Sequence, residues 1–489
     1  MSHPPAPLLA SILLLGALAP GGAPPVPWPR GAAPTSGALD ALIADAQQID
    51  DREQVEEWLD GVEQVEASDH LSIVQEDLDK GVYSKALIFR YGDELFSHPF
   101  TATVDGYADG HFTGFRRVHA GVRGGLDTFS CSGCHSVGGP DGAGAATQNA
   151  LLDGDAEHHT SALQRNPPAM LGLGLVQALG AEMTVELQGE RDQGKIVAAS
   201  HAKPVLVDLT THGLSFGSIL VRPDGSVDPG KVEGVDGDLV VKPFGWKGTG
   251  SRLRRFVEDA ARIHFGIQSH VLAIQHKNHP DPAHLGSGPN WWDPDGDGHT
   301  RELEEGTLTA GAVYLAMLET PVIIPPSDAG LRDHWANGSA LFTAAGCEGC
   351  HKRQLVLANT LWHETADTTK GGVTVDLFAE GDLPRGTNAV NLFSDLKRHA
   401  MGPGLADRHD NELGIGRDVF LTRPLWGLAE TAPYLHDGRA ATLPEAILEH
   451  GGEAQRSRDA FHALSAPDQA DVHVFLLSLT REPKVRVAR

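Results

Sequence analysis

All four cysteines of the 489-residue chain fall in two copies of one short pattern. The first copy is FSCSGCHSVGG, at residues 129–139, and the second is AAGCEGCHKRQ, at residues 344–354. Each copy has two cysteines three positions apart and a histidine directly after the second. The side chains that could do chemistry are Cys131, Cys134 and His135 in the first copy and Cys347, Cys350 and His351 in the second.

A Cys-x-x-Cys pair can bind zinc, act as a redox dithiol or attach a haem. A tetrahedral zinc site needs a second pair or two histidines at ligand spacing, but more than two hundred positions separate the two pairs here. A redox dithiol does not require the following histidine, whereas covalent haem attachment does. The pattern therefore predicts two covalently bound haems c, with His135 and His351 as proximal iron ligands. One four-cysteine zinc site, or disulfides, are the alternatives.

The composition is that of an acidic globular protein. The chain has 65 acidic and 39 basic residues and a formal net charge of −26. This balance disfavours nucleic acid and anionic membrane surfaces as partners and favours a basic partner. The 25 histidines are consistent with metal or haem ligation, since imidazole is the commonest ligand of both.

The N-terminus resembles a secretory signal. Residues 8–19 form an apolar run that is short for a membrane span, and Ala17-Leu18-Ala19 resembles a cleavage site. We therefore expect residues 1–36 to be a signal peptide and linker, and the protein to be periplasmic or otherwise exported; an uncleaved anchor is the alternative. No membrane span is expected beyond this segment.

Hydrophobic patterning divides the remaining chain into three parts and predicts a mainly α fold. Residues 37–89 form an acidic segment with helical spacing. Residues 90–325 are expected to be a first cytochrome c-like haem domain. It carries a β-rich insertion at residues 183–243, where short runs such as TVELQG, GKIVAAS and KPVLVDLT alternate with turn residues. Residues 326–489 are expected to be a second cytochrome c-like haem domain.

The C-terminal third resembles the signature of the di-haem oxidoreductase family, whose members are peroxidase-like and thiol-oxidoreductase-like proteins. The resemblance rests on RPLWGLAETAPYLHDGRAATLPEAILEHGG and the sequence that follows it, from Arg423 to Leu479. Weaker likeness extends over about residues 90–480, for instance in SDLKRHAMGPGLAD. The family is related to bacterial dihaem cytochrome c peroxidases and to the dihaem enzyme of methylamine dehydrogenase maturation.

This resemblance implies a sixth ligand for the second haem. In the relatives, a segment similar to PYLHDG is followed, fourteen positions after its histidine, by a distal ligand. The same count from His436 reaches His450. The resemblance thus implies a haem held by His351 and His450. Two alternatives stay open: a role for His450 as the cap of a helix before two glycines, and Met401 as a competing ligand.

The resemblance also implies residues beside the first haem. FGWKGTGSRLRRFVEDAARIHFGIQ is similar to the segment of the relatives that supplies a tryptophan between the haems and an acid near the open iron. Trp246 takes the place of the tryptophan, and His264 takes the place of the acid. His264 could move a proton, bind the iron or pack in the core, and Trp246 could be an electron relay or a core aromatic. Phe256 occupies a position that is glutamine in the peroxidases. The further candidates for the distal group are His158, His159 and Glu182.

The segment DPDGDGHTRELEE fits the twelve-residue calcium-loop pattern. Carboxylates at alternating positions, a glycine at position 6 and an acid at position 12 would surround a hard cation. An acidic turn is the alternative. The expected ligands are Asp293, Asp295, Asp297, His299 and Glu304.

Taken together, the motifs and the resemblance imply an exported dihaem c-type cytochrome that acts as a peroxidase-like oxidoreductase. Electrons from a redox donor protein or a quinol-linked cytochrome would enter at the second haem and pass to the first, where a small oxidant such as peroxide reacts. The alternatives are a non-enzymatic electron-transfer cytochrome with both irons six-coordinate, and a dihaem oxygenase of the rubber-oxygenase type.

The two cysteine motifs generate the first prediction. Denatured, acid-extracted protein should keep its haem, and a pyridine haemochrome assay should count two haems per chain, because each is held by thioether bonds. Cys350→Ala should lose stable attachment at the second motif only. A wild-type count of zero or one would contradict the prediction.

Overall fold

The computed structural model describes residues 73–99, 128, 130–152, 159–265, 269, 303–378, 388–409 and 414–481. All of them lie in one compact unit, Asp69–Arg489. The predicted signal and linker, the acidic segment up to residue 72 and most of the predicted calcium loop lie outside the described residues.

Ten α-helices occur among the described residues. The first two follow the acidic segment, a one-turn helix carries the first cysteine pair, and the longest helix lies in the middle of the chain. Their bounds are α1 Gln75–Asp79, α2 Lys85–Ser97, α3 Cys131–Cys134, α4 Leu173–His201, α5 Leu253–Ala260, α6 Glu305–Met317, α7 Ala329–Ala344, α8 Leu443–Leu448, α9 Gln455–His462 and α10 Ala466–Leu477.

The described strands are short and form six small sheets, each of which has two strands except for one three-stranded meander, β3-β4-β5. All pairings are antiparallel. The other sheets pair β1 with β2, β7 with β10, β11 with β12, β6 with β13 and β8 with β9. The strands are β1 Ala150–Leu152, β2 Leu163–Arg165, β3 Val205–Thr211, β4 Leu214–Val221, β5 Val227–Val232, β6 Val322–Ile323, β7 Leu355–Val356, β8 Leu361–Thr365, β9 Gly372–Asp376, β10 Ala389–Val390, β11 Arg398–Ala400, β12 Val419–Leu421 and β13 Leu479–Thr480.

The fold is therefore a mixture of helices and small sheets, and the expectation of a mainly α protein holds only in part. The difference comes mostly from two- and three-residue strands. Such strands are too short to show the alternation of apolar and polar residues that predicts a strand. The division into two cytochrome c-like domains stays a prediction.

The predicted β-rich insertion is correct in its second part and wrong in its first. β3, β4 and β5 fall within residues 183–243, but residues 183–201 belong to the long helix α4. The runs TVELQG and GKIVAAS are therefore helical. Their apolar residues follow the helical period: Met183, Leu187, Gly194 and Ala198 are buried, whereas Val185 is 70% exposed. This spacing outweighs the local β propensity.

Two of the four hydrophobic cores among the described residues are large. The larger is built from α4, α6 and the three-stranded sheet, and it also buries Trp362, Val373 and Val375 of the β8–β9 hairpin. The smaller is rich in phenylalanine and contains Phe342, Phe475 and other residues of the C-terminal part. The β8–β9 hairpin lies beyond residue 326 in the sequence but completes the core of the preceding part.

None of the described helices is both long and apolar enough to cross a membrane.

Helix α4 generates a stability prediction. Leu187 is fully buried, so Leu187→Ala should lower the free energy of unfolding by about 2–5 kcal/mol. Val185→Ala is the matched control and should change the free energy by no more than about 0.5 kcal/mol. In a strand the two side chains would face the same side, so equal losses in denaturant unfolding followed by circular dichroism would contradict the helix.

Candidate haem sites

The first cysteine pair lies on the one-turn helix α3. The Ser130 hydroxyl caps this helix by accepting a hydrogen bond from the Gly133 N–H at 3.1 Å. The backbone N–H of His135 donates to the Cys131 carbonyl at 3.0 Å. This turn fixes the histidine directly beside the two thiols.

The His135 ring is held by the backbone of a neighbouring segment. Its Nδ1 lies 2.9 Å from the carbonyl oxygen of Pro168, and because a carbonyl can only accept, Nδ1 carries the hydrogen. Nε2 is then the nitrogen with a free lone pair, which is the usual arrangement of a metal-binding histidine. Burial lowers the pKa of His135 to about 4, so the ring is neutral and competent to bind a metal.

The segment that supplies this carbonyl is itself fixed at several points. The Asn166 N–H donates to the His436 carbonyl at 2.6 Å, and the Met170 N–H donates to the Asp141 carbonyl at 2.9 Å. The segment ends at Gly172, whose φ is +67° and whose missing side chain leaves room for the indole of Trp426. A side chain at this position would both strain the backbone and collide with that ring.

A small apolar cavity of about 50 Å³ adjoins the first motif. Cys131 and His135 line it together with Phe256, Phe265 and Tyr314. His264 directly precedes Phe265 on a π-helical turn, Ala261–Phe265, that extends α5. Phe265 itself lines this cavity. The structure therefore places Phe256 in the cavity wall and His264 one residue away from that wall, and both residues were predicted from the sequence.

The second motif repeats this arrangement. Cys347–Gly349 form a 3₁₀ turn, and His351 Nδ1 lies 3.0 Å from the carbonyl oxygen of Phe393. Phe393 has a φ of +52°, a left-handed conformation that is uncommon for a bulky residue. Its ring is fixed between Phe342 and Phe475, with ring centres 6.1 Å away in both cases. The packed core thus holds the carbonyl that orients His351.

His450 faces His351. Its Nδ1 lies 2.8 Å from the carbonyl oxygen of Ala446, and the two imidazole ring centres are 6.5 Å apart. Two imidazoles bound to opposite faces of one metal ion by bonds of about 2.0–2.1 Å have ring centres roughly 6 Å apart. Capping the end of helix α8 and binding a metal are therefore compatible, since the cap uses Nδ1 and leaves Nε2. Burial lowers the pKa of both rings, that of His351 to about 4.

A cavity of about 370 Å³ lies beside these rings. It is lined by Cys347, Cys350, His351 and His450, and also by Met401. Its volume lies within the range of about 300–1,000 Å³ that is typical of ligand sites. Two thiols, two imidazoles oriented by backbone carbonyls and a mostly apolar cavity fit a haem held by His351 and His450.

The alternatives of zinc and disulfides find no support in the described residues. No disulfide joins any two of the four cysteines. Burial raises the pKa of Cys131 to about 12 and that of Cys347 to about 11, whereas zinc binds thiolates. A search of the described residues for metal-binding clusters finds Cys350, Asp395 and His399. The two nitrogens of His399 are already hydrogen-bonded, to Asp395 at 2.9 Å and to Glu453 at 2.8 Å.

Trp246 lies in the wall of the cavity beside the second motif. It lines the larger cavity, and its Nε1–H donates to the carbonyl of Asn166 at 2.8 Å. Asn166 is two residues before Pro168, whose carbonyl holds His135. One short stretch of backbone therefore joins the tryptophan beside the second motif to the proximal histidine of the first.

A buried ion network beside Trp246 was not predicted from the sequence. Arg165 binds Asp407 through two hydrogen bonds of 2.9 and 2.8 Å. Lys247 contacts the same carboxylate at 2.9 Å, and His436 lies 3.5 Å from it. These residues are far apart in the sequence and share no motif, so only the fold brings them together.

The remaining predicted residues have other positions. Glu182 accepts hydrogen bonds from the backbone N–H groups of Ala358 and Asn359, at 3.0 and 2.6 Å, so it holds a loop and the structure contradicts its role as a distal group. His158 and the side chain of His159 lie outside the described residues, as do Asp293, Asp295, Asp297 and His299. Glu304 is the N-cap residue of α6.

Residues 316–479 match the family model described as "Di-haem oxidoreductase, putative peroxidase". The predicted resemblance is thereby confirmed for this part of the chain, which contains the second motif and His450. The match supports haem cofactors and a dihaem, peroxidase-like oxidoreductase as the class of protein. A search of the curated proteins found no significant match.

Among the solved structures, a similar one is titled "Crystal structure of a MauG-like protein associated with microbial copper homeostasis". The two sequences are 16% identical, and the alignment covers 64% of this chain and 89% of that chain with a TM-score of 0.28. At this TM-score the likeness carries no argument about the fold or the function.

The His351–His450 pair generates a spectroscopic prediction. His450→Ala should convert a low-spin iron into a high-spin one while both haems stay attached, because removal of the imidazole opens the sixth position. His462→Ala, on an exposed position of α9, is the control and should leave the optical and electron paramagnetic resonance spectra unchanged. If the spectrum stays low-spin in His450→Ala, another group is the sixth ligand of this iron. The variant Met401→Leu would then test Met401 as that ligand.

Proposed function

We propose that the protein is an exported dihaem c-type cytochrome that acts as a peroxidase-like oxidoreductase. Electrons enter at the site of His351 and His450, pass by Trp246 and reach the site of His135, where a small oxidant such as peroxide is reduced. The family match at residues 316–479 supports the class of reaction. The two sites differ in the number of imidazoles that they contain. This difference supports electron entry at the second site and reduction of the oxidant at the first.

The difference between the two sites carries this proposal. At the second motif two neutral imidazoles lie 6.5 Å apart across one cavity, so both faces of an iron there would be occupied. At the first motif, His135 is the one imidazole among the described residues that line the cavity, which Phe256 and Phe265 line as well. A closed site suits electron storage and transfer, whereas an iron with one imidazole leaves a position for a reactant, and in this proposal His264 does not bind the iron.

At the second site, the residues would bind a haem, and backbone carbonyls orient the two imidazoles. Cys347 and Cys350 would hold a haem through thioether bonds, and His351 and His450 would bind its iron. The carbonyls of Phe393 and Ala446 keep both Nδ1 atoms protonated and both Nε2 atoms available. The haems, when bound, supply electron storage and the capacity to reduce peroxide.

At the first site, the residues would hold the haem, exclude water from the cavity and move a proton to and from the reactant. Cys131 and Cys134 would attach the haem, and His135 would bind its iron through Nε2. Phe256 and Phe265 keep the cavity apolar. We assign to His264 the acid–base role: one of its ring nitrogens accepts a proton from the peroxide and returns it to the departing oxygen. The adjacent Phe265, which lines the cavity together with His135, supports this role.

Trp246 is the proposed relay between the sites. Its indole lines the cavity of the second site, and its hydrogen bond to Asn166 leads by two peptide units to the carbonyl that holds His135. The hydrogen bond fixes the ring in place, so the indole keeps a constant position relative to both histidines.

The cellular setting completes the proposal. Haem c is attached outside the cytoplasm, and the apolar run at residues 8–19 supports export. The net charge of −26 favours a basic redox donor, such as a donor protein or a quinol-linked cytochrome. A structural Ca²⁺ ion at residues 293–304 is part of the same proposal, supported by the loop pattern.

Two other functions, electron carrier and oxygenase, differ from the proposed one in what binds or reacts at the first site. A pure electron carrier requires His264 to bind the iron and close the site. An oxygenase of the rubber-oxygenase type requires an open site that reacts with dioxygen and a hydrophobic substrate, and the apolar walls formed by Phe256 and Phe265 favour it as the second candidate.

His264→Ala tests the assignment. The wild type should bind cyanide at the first haem and consume peroxide. The variant should keep cyanide binding and lose at least about a hundredfold in peroxide turnover, the usual scale for removal of an acid–base group. His201→Ala, at the exposed end of α4, is the matched control and should retain full turnover.

The opposite result identifies a carrier. If the wild type resists cyanide and the His264→Ala variant gains a high-spin iron that binds it, His264 is a ligand and the proposed peroxidase is wrong. If the wild type binds cyanide but does not consume peroxide, while dioxygen is taken up with a hydrophobic polyene, the oxygenase replaces it.

A further inference from the structure

One charged side chain of the larger cavity has no counter-charge among the described residues. Arg423 lines this cavity, and no carboxylate of the described chain lies within ion-pair distance of it. The other charged side chains of the lining are paired: Arg458 with Asp459 at 2.7 Å, and Glu453 with His399 at 2.8 Å. Arg423 therefore differs from its neighbours in lacking a partner of opposite charge.

The backbone around Arg423 is firmly fixed. The Thr422 N–H donates to the Lys397 carbonyl at 2.9 Å, the Ser394 hydroxyl donates to the Thr422 carbonyl at 2.6 Å, and the Leu425 N–H donates to the Leu392 carbonyl at 3.1 Å. The side chain then extends over Trp246, with its guanidinium carbon 5.7 Å from the centre of the indole ring. The guanidinium thus has a defined position at the cavity wall.

A lone guanidinium in this position calls for an anion. Burial lowers the pKa of Arg423 to about 10, so the group is still positively charged at neutral pH. The carboxylate of Asp407 is already bound by Arg165 and Lys247. Arg423 is half-buried, and removing a charge from water without a partner is unfavourable. A guanidinium matches a carboxylate through two parallel hydrogen bonds.

We propose that Arg423 binds a carboxylate of the molecule that occupies this cavity, namely a propionate of the second haem. The inference rests on the proposed function, because that function places a haem between His351 and His450. It adds a specific anchor for the haem edge and places that edge next to Trp246. Arg423 is a positioning residue: it acts on the potential of the iron through the carboxylate and through its own charge.

The test uses the full-length protein with its haems attached. Arg423→Gln should shift the midpoint potential of the low-spin haem to a more negative value, because loss of a nearby positive charge favours the ferric state. Its resonance Raman propionate bending band should shift as well, which reports direct contact. Arg423→Lys should keep the potential close to that of the wild type while the propionate band shifts. Arg456→Gln, on the exposed face of α9, is the control and should change neither.

Several results would overturn the proposal. The first is a midpoint potential and a Raman band that both stay unchanged in Arg423→Gln. The second is a potential shift in Arg423→Lys as large as that in Arg423→Gln, which would indicate a role in packing rather than charge. If Arg423→Gln does not fold, an unchanged propionate band in Arg423→Lys overturns it. A saturable effect of added acetate on the wild type that is lost in Arg423→Gln would assign the anion to the solvent instead of the haem. The haem count of the wild type tests the proposed function separately, so a count of two with an unresponsive Arg423→Gln variant overturns this inference alone.

Discussion

A buried neutral imidazole must give its single N–H to an acceptor, and in this protein the acceptor is a backbone carbonyl at each of three histidines. His135, His351 and His450 all use Nδ1 for this bond. The bond satisfies a group that would be costly to bury alone, and it also selects which nitrogen can bind a metal. The haem sites depend on this one interaction, because it sets both the tautomer and the direction of each ring.

The architecture can be understood as the means by which these carbonyls are held. The carbonyl of Pro168 belongs to a segment fixed by hydrogen bonds at Asn166 and Met170. That of Phe393 belongs to a left-handed residue whose ring is packed between two other phenylalanines. That of Ala446 lies in helix α8, which begins with a Thr442–Glu445 capping box. Backbone hydrogen bonds, the packing of a phenylalanine ring and a capped helix therefore have the same effect: each holds a carbonyl next to its histidine.

Much of the candidate site could be predicted from the sequence because the covalent attachment that we propose would impose a local pattern. Two cysteines and a histidine must be neighbours in the chain, and the count from His436 led to His450 by resemblance. Arg423, which lines the larger cavity, and the Arg165–Asp407–Lys247 network obey no such rule, since only folding brings these residues to their partners. Trp246 was predicted as a relay, but its hydrogen bond to Asn166 depends on tertiary structure.

The fold was predicted less well than the site for a related reason. The segment at residues 183–201 contains β-branched residues but buries one face with helical spacing, and burial over many turns outweighs local propensity. The pairing of short strands such as β7 with β10 joins residues more than thirty positions apart. Strands of two residues carry no period from which such a pairing could be read.

The β8–β9 hairpin has a consequence for how the chain matures. Trp362, Val373 and Val375 complete the core formed by α4 and α6, so that core cannot close until the chain has been made as far as Asp376. The thiols of Cys131 and Cys134 emerge some 240 residues earlier. When the chain emerges N-terminus first, the first cysteine pair is therefore present before its surrounding core can close. If the chain is exported before it folds, as the proposed function requires, the order of the elements leaves the first motif accessible during that step.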